Sequence, residues 1–302
     1  MKKYLLASII IICIVIIFFI TKSPVVEITS SPFTKFDSTK IDVGTMYEYY
    51  YSCSSQSVLP TDVNYIYIKK LNDIELLDID LKDTLDLPYI NKYVLNWKYM
   101  MLKQFRYKYI GNIKDLPLHY ADSIDFSVDF QKKLCVSLDY GKEKNGLQNF
   151  NHRYKLESLP SYFYDYTDLM DLWFALRFYP FNKEMINVYI MHDGYNVKFD
   201  IKYDGKEEVE VPFGNVMCYK FELVPNLSFF MGLFHQPKKA YIWLTSEDSK
   251  LYMVKYINYN DQSSLVHYIE YGLKRIEKVS AKKWKEFKEQ KIIQRLKAKE
   301  NR

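Results

Sequence analysis

The side chains able to do chemistry are few, and most stand apart from one another. Arg177 is the most suggestive. It closes the run Leu169, Leu172, Trp173, Leu176, whose spacings of three and four describe one face of a helix. A guanidinium beside such a buried stripe faces the interior of the domain. It would meet either a carboxylate of the sheet, as a structural ion pair, or the head group of a ligand. The five histidines, His119, His152, His192, His235 and His267, are scattered, and no His-Glu-x-x-His is present. Cys53, Cys135 and Cys218 form no Cys-x-x-Cys pair, so the thiols do not describe a metal centre. Outside the cytoplasm two of these three could join, leaving one free; burial as small apolar residues is the better reading. Asp78, Asp80, Asp83 and Asp86 make an acidic series, but it lacks the central glycine of a calcium loop and reads as a solvated loop or strand face. A nucleophile elbow, a glycine-rich phosphate loop and a dinucleotide fingerprint are all absent from the sequence. The residues therefore assign no catalytic group, metal or cofactor, and the expectation is a protein that is not an enzyme.

The elements that must position Arg177 are mainly strands. Alternation with a period of two marks Met46–Cys53, Val63–Lys69, Ile124–Phe130 and Leu134–Asp139. It continues through Asn187–Met191, Val197–Tyr203, Glu207–Val211, Val216–Val224, Lys239–Thr245, Leu251–Tyr259 and Ser264–Tyr271. Asp193-Gly194 and Asp204-Gly205 each separate two such runs, as the positive φ of a two-residue hairpin turn requires. The second half thus reads as an antiparallel meander. One helix interrupts it: Asp165–Asp168 offer start signals and Pro180 a stop, which places it over Asp168–Phe178. Its expected role is to cover one face, or plug one end, of a curved sheet. Tyr89–Ile110 fits either a helix or a long strand.

Composition agrees with this class. The chain has 302 residues, is 48% hydrophobic and carries 29 Tyr but 9 Gly, which rules out a disordered chain and leaves ample material for a core. The first strong signal along the chain is Tyr4–Ile20, a seventeen-residue apolar run after Lys2 and Lys3. As a helix it would be about 26 Å long, near the thickness of a bilayer's hydrocarbon core. A cleavable signal peptide would end on small residues, whereas this run ends Phe18-Phe19-Ile20-Thr21-Lys22-Ser23-Pro24, so an uncleaved anchor is the better reading. The lysines before the span place the N-terminus in the cytoplasm and the bulk outside it. The organisation is then an anchor or signal segment over 1–22, a stalk over 23–40, a β-rich domain over 41–278 and a basic tail over 279–302. Of the net charge of +5, the first segment carries +3 and the tail +6, which leaves the body mildly acidic. The basicity of the termini is thus no sign of nucleic-acid binding. Ser280 can cap a helix in the tail, which would lie on anionic lipid heads or an acidic partner, or stand solvated at the end of the domain. Trp284 and Phe287 fall on a different side of that helix from Ile293 and Leu296.

Four segments carry a family resemblance. They are Val43-Gly44 before a Tyr-rich strand; Tyr166-Thr-Asp168 through Trp173 to Arg177; Val211-Pro212-Phe213-Gly214 through Tyr219-Lys220; and Ile242-Trp243-Leu244-Thr245-Ser-Glu-Asp248. Over roughly 41–272 the chain resembles bacterial exported proteins of unknown function with a Pro-x-Gly hairpin and a Trp-Leu-Ser-x-Asp strand end. Thr245 stands in the serine position of the second motif and Glu247 in its aspartate position, with Asp248 one residue later. The resemblance implies a mostly antiparallel curved sheet or open barrel, similar to envelope carriers that hold acyl chains in an apolar concavity. Known members of that family often carry cleavable signals, from which this chain departs, and they offer no established catalytic residues. The expected ligand site lies between the helix and the sheet, lined by Leu172, Trp173, Leu176, Tyr219, Phe221, Tyr241 and Trp243, with Arg177 as the polar group. The expected function is that of a single-pass protein of the bacterial inner membrane, its bulk in the periplasm, binding a lipid or other amphipathic envelope ligand. The competing expectation is an envelope scaffold with a packed core and no ligand.

Overall fold

The structure, a computed structural model, describes residues 32–34, 36–53, 63–72, 75–83, 89–96, 101–109, 121–129, 134–143, 146–155, 161–163, 170–192, 195–226, 239–259 and 268–300. The expected membrane segment, residues 1–22, lies outside them. No helix among the described residues is long and apolar enough to cross a membrane.

Among the described residues fifteen strands form one sheet. In chain order they are β1 (Thr45–Cys53), β2 (Val63–Asn72), β3 (Glu75–Asp83), β4 (Tyr89–Asn96), β5 (Met101–Tyr109), β6 (Ala121–Asp129), β7 (Leu134–Glu143), β8 (Gly146–Lys155) and β9 (Ser161–Phe163). After helix α1 (Met170–Leu176) come β10 (Met185–His192), β11 (Tyr195–Val211), β12 (Gly214–Pro225), β13 (Ala240–Thr245), β14 (Met253–Tyr259) and β15 (Tyr268–Lys278), and then helix α2 (Ala281–Glu300). The spatial order runs β8 to β1 and then β15 to β9, so two meanders meet at the β1–β15 seam. All neighbours are antiparallel except β9 and β10. Among the described residues the sheet is open, with β8 and β9 as its edges, and does not close into a barrel.

Several sequence expectations need correction. Tyr89–Ile110 is neither a helix nor one strand, but the two strands β4 and β5. Of the two readings open to the acidic series, the strand is the one observed: Asp78, Asp80 and Asp83 lie in β3, between β2 and β4, while Asp86 is outside the described residues. Asp204-Gly205 makes no hairpin. Gly205 has φ +91°, but it sits at a register shift within the single 17-residue strand β11. A bulge absorbs the positive φ that a turn would otherwise use. The hairpin turn lies at Pro212-Phe213, where Val211 pairs with Gly214 and Gly214 has φ +128°.

The middle of the sheet is buried on both faces, which explains why Val63 to Ile68 are all buried in succession. Tyr47 and Tyr49 of β1 and Ile66 and Ile68 of β2 join Trp173 and Leu176 in the main core. The intervening Met46, Val63, Tyr65 and Tyr67 pack with Trp284 in a second cluster. Side chains alternate along a strand, so α1 covers one face and α2 the other. Trp284 stacks on Tyr67 at 5.1 Å, and Phe287 meets Tyr65 edge-on at 4.9 Å. The chain's two ends are tied at Gly44, whose N–H donates to Ile68 O and whose O accepts from Val279 N–H, at 2.9 and 2.8 Å.

Candidate functional site

The site is built around the end of α1. That helix is only seven residues long, and its Leu172, Trp173 and Leu176 are fully buried against the sheet. The chain leaves it in tight turns: Phe178 N–H donates to Ala175 O at 2.9 Å and Tyr179 N–H to Leu176 O at 3.0 Å, before Pro180 ends the run. This turn drives Arg177 inward, where it too is fully buried. Its guanidinium lies 4.5 Å from the Trp173 ring and 4.7 Å from the Phe174 ring, a cation–π pair of contacts. Nη1 donates to Lys40 O at 2.9 Å, and Lys40 Nζ returns the bond to Arg177 O at 3.1 Å. Nε and Nη2 have no acceptor. Among the described residues no carboxylate pairs with Arg177, so the structural ion pair open to it from sequence is not formed there.

Tyr47 completes the polar wall. Its ring meets Trp173 edge-on at 6.3 Å, and its hydroxyl is buried without a partner. Burial pushes that hydroxyl's pKa up to about 12, a rise the neighbouring Arg177 cation partly offsets. Asp42 and Asp248 lie near enough to add to the rise, but both are engaged elsewhere. Asp42 accepts from Lys278 Nζ, and Asp248 Oδ1 accepts from Lys250 N–H at 2.7 Å. Thr45 lies two residues before Tyr47 on the same strand face, and Asn64 shares its face with Ile66. The side-chain polar atoms of both are also buried without partners. A buried polar group left unbonded costs roughly 1–3 kcal/mol. With the Trp173 indole nitrogen, which also has no partner, five such residues on one face of two neighbouring strands and the adjoining helix end mark a place where a polar occupant would be favourable.

A strap covers this place. Phe33 and Ile41 are buried, Thr34 donates from both N–H and Oγ1 to Phe178 O, and Phe36 packs on Phe178 at 5.3 Å. Asp37 caps the turn Ser38–Lys40 by accepting from Thr39 N–H and Oγ1 at 2.9 and 2.7 Å. Neither the strap nor Tyr47 was expected to belong to the site from sequence. Tyr47 gave a signal, since it alternates with Tyr49 and Tyr51 in a strand; the strap gave none.

The structure divides the eight expected lining residues. Leu172, Trp173, Leu176 and Arg177 are together at α1. Tyr219 and Phe221 lie on the same side of the sheet but further along, in an aromatic group with Tyr179, Tyr203 and Phe181. Tyr241 and Trp243 are on the opposite face. In the β12–β13 register they pair with Glu222 and Lys220, whereas Phe221 pairs with Ile242. Trp243 Nε1 donates to Glu207 Oε1 at 2.6 Å, and Lys220 Nζ sits 5.4 Å from the Tyr241 ring and 5.8 Å from the Trp243 ring. No group of residues suited to holding a metal occurs among the described residues, and Cys218 is a free, buried thiol.

The fold and site define an open, mostly antiparallel sheet protein with one helix on each face and a buried, partly unsatisfied cation. No known protein family matches the sequence, and no curated protein does. Solved structures do match. One is a protein of Bacteroides fragilis described as exported, with a YmcC-like fold: 10% identity, 82% of this chain and 99% of that one, TM-score 0.28. Another is the hypothetical lipoprotein YmcC of Escherichia coli: 9% identity, 76% of this chain and 83% of that one, TM-score 0.26. A third, described as a lipoprotein, is from Parabacteroides distasonis: 9% identity, 78% and 96%, TM-score 0.28. These are described as exported proteins or lipoproteins. TM-scores this low do not speak to what this chain does.

Proposed function

We propose that the protein is a membrane-tethered, extracytoplasmic, non-catalytic binder of an amphipathic envelope ligand. Its place is the bacterial inner membrane, with residues 1–22 as an uncleaved anchor and the sheet domain in the periplasm. One observation carries the reading: a fully buried guanidinium offers two N–H groups without an acceptor, against aromatic rings and beside other buried polar groups that lack partners. A charge in such a place is costly unless it meets an opposite charge, and a ligand with an anionic head and an apolar body supplies both halves of what the face lacks. The competing reading is a scaffold with a packed core, and the complete burial of Leu172, Leu176 and Phe221 favours it. Organic extraction of the purified full chain followed by mass spectrometry separates the two. A recovered amphiphile near one per chain supports the binder, and its absence leaves the scaffold.

The tail fits this arrangement as a second, electrostatic membrane contact. Its apolar side chains Trp284 and Phe287 are taken up by the sheet, and Lys282 and Lys285 are exposed. Contact with anionic lipid would therefore rest on charge rather than insertion, and should weaken steeply with salt. Intact mass of the membrane-extracted chain tests the anchor: a mature start between residues 20 and 30 would end it.

A further inference from the structure

The atoms that Arg177 leaves free say what kind of head group would fit. A guanidinium is planar, and its Nε–H and the Nη2–H trans to Cδ point along one common edge. That edge matches an anion with two equivalent oxygens and takes it through two parallel hydrogen bonds. Nη1, on the other side, is occupied by Lys40 O, and Nε and Nη2 are the two nitrogens without acceptors. The unfilled part of Arg177 is thus one intact bidentate edge. The Tyr47 hydroxyl, buried and without a partner, stands beside the same guanidinium. Arg177 is one buried cation, so a singly charged head neutralises it, whereas a phosphate monoester with close to two charges would bring an excess into the interior.

We propose that the site takes a singly charged, two-oxygen oxyanion, side-on along the Nε–Nη2 edge of Arg177, with the Tyr47 hydroxyl as third donor. Two sources present that chemistry: the carboxylate of a fatty acid and the phosphodiester of an anionic phospholipid. The inference rests on the reading that an amphiphile binds at all. Because Arg177 and Tyr47 are fully buried, a ligand reaches the edge only when the Phe33–Ile41 strap shifts away from the end of α1.

The test uses the full chain in dodecyl maltoside micelles, titrated with tetradecanoate, its methyl ester and phosphatidylglycerol, and followed by tryptophan fluorescence and calorimetry. The ester keeps the apolar chain and removes the charge. Tetradecanoate or phosphatidylglycerol should bind at least tenfold more tightly than the ester, and the arm that does so identifies the source. Arg177→Lys, which keeps the charge but loses the edge, should weaken the charged ligand at least tenfold and leave the ester unchanged. Tyr47→Phe removes a hydroxyl whose one polar neighbour is the Arg177 guanidinium, so it should fold normally and weaken the charged ligand severalfold. Equal binding of acid and ester would overturn the head-group assignment while the amphiphile reading stood. Binding of none of the three would overturn both. Tight binding of the acid that neither substitution changes would place the head elsewhere and overturn the role of Arg177.

Discussion

Replacing Trp284 by alanine tests whether the C-terminal helix is part of the fold. Trp284 is 3% exposed, stacked on Tyr67 at 5.1 Å and on Phe287 at 5.8 Å, within a cluster that also holds Met46, Val63 and Tyr65. Burying a tryptophan removes about 150–250 Å² from water, worth about 4–6 kcal/mol at 25 cal/mol per Å² as an upper bound. Phe287 is half-buried and can lean into part of the space, which brings the expected loss to about 3–4 kcal/mol, within the range for a large aromatic cut to alanine. Besides Trp284 the helix is held by Phe287 and Lys291 against Tyr65, at 4.9 and 5.4 Å. Its pairs Lys282–Glu286 and Lys285–Glu289 are exposed and span 4.0 and 3.9 Å, so each contributes a few tenths of a kcal/mol. A helix this weak alone should fray once undocked. Urea unfolding of the detergent-solubilised full chain should show the loss, and ellipticity at 222 nm should fall in the folded baseline. A loss under 1 kcal/mol with unchanged helicity would mean that α2 is a solvated appendage, and the two-faced burial of β2 would need another cause.

Three further outcomes follow from the packing. A Cβ on Gly272 would stand 2.1 Å from Tyr50 Cε1, so Gly272→Ala must push the ring aside and break its 2.6 Å bond to Glu270, at a cost of about 1–3 kcal/mol; Tyr50→Ala should recover part of this in the double variant, as denaturant titration would show. Burial pushes the Cys218 thiol up to about 12 from 9.0 and the Tyr47 hydroxyl to about 12 from 10.0, so the unfolded chain loses these protons first. Stability should therefore fall as pH rises, from about 9 for the thiol and from about 10 for the phenol, by up to about 1.4 kcal/mol per unit for each, and Cys218→Ala should flatten the slope measured between pH 8 and 11. Arg177→Met should leave the ligand-free chain's stability unchanged or raised, since it removes a buried charge whose free edge has no acceptor; a loss of about 3–5 kcal/mol in thermal unfolding would mean that an acid of this chain pairs with it.

Strand content and burial were both legible where one face is buried and the other wet, because there alternation in the sequence follows burial. β12 shows this: Phe221 and Leu223 are buried, and Glu222 between them is not. In the central strands the period of two found the strand but not its burial, since Val63 to Ile68 are all buried in succession and both faces are covered. Asp78 and Asp80 left β3 open between a loop and a strand face, because acidic side chains at alternate positions suit either until their neighbours in β2 and β4 are known. The division of the site was illegible for a geometric reason. Trp243 and Phe221 are both aromatic and both in adjacent strands, but the register pairs Trp243 with Lys220, so the two rings point to opposite faces. Sequence gives the residue types on each strand and not the one-residue choice of register between them. Arg177 was legible as a polar group beside the stripe, yet whether it meets a carboxylate depends on residues distant in sequence.

The position of β1 ties these features together. It is the middle strand of the fifteen, with seven on either side. One of its faces carries Tyr47 against Trp173 and Arg177; the other carries Met46, in the cluster with Trp284. The strap that crosses Arg177 feeds into β1 through Gly44, and the tail leaves β15 at Val279, which donates to that same Gly44. The proposed tether before the strap and the proposed lipid contact after β15 thus approach the sheet at one point. Lifting the strap to admit a ligand breaks the Lys40–Arg177 exchange of bonds, the Thr34 bonds to Phe178 and the Lys250 bond to Thr39 O, and draws Phe33 and Ile41 out of the main core. A tether held in the membrane pulls on those contacts before it pulls on β1, which pairs with β15 along its whole length. If the anchor and the carrier readings both hold, access to Arg177 is coupled to the membrane through the strap, and the sheet beneath it has no need to open.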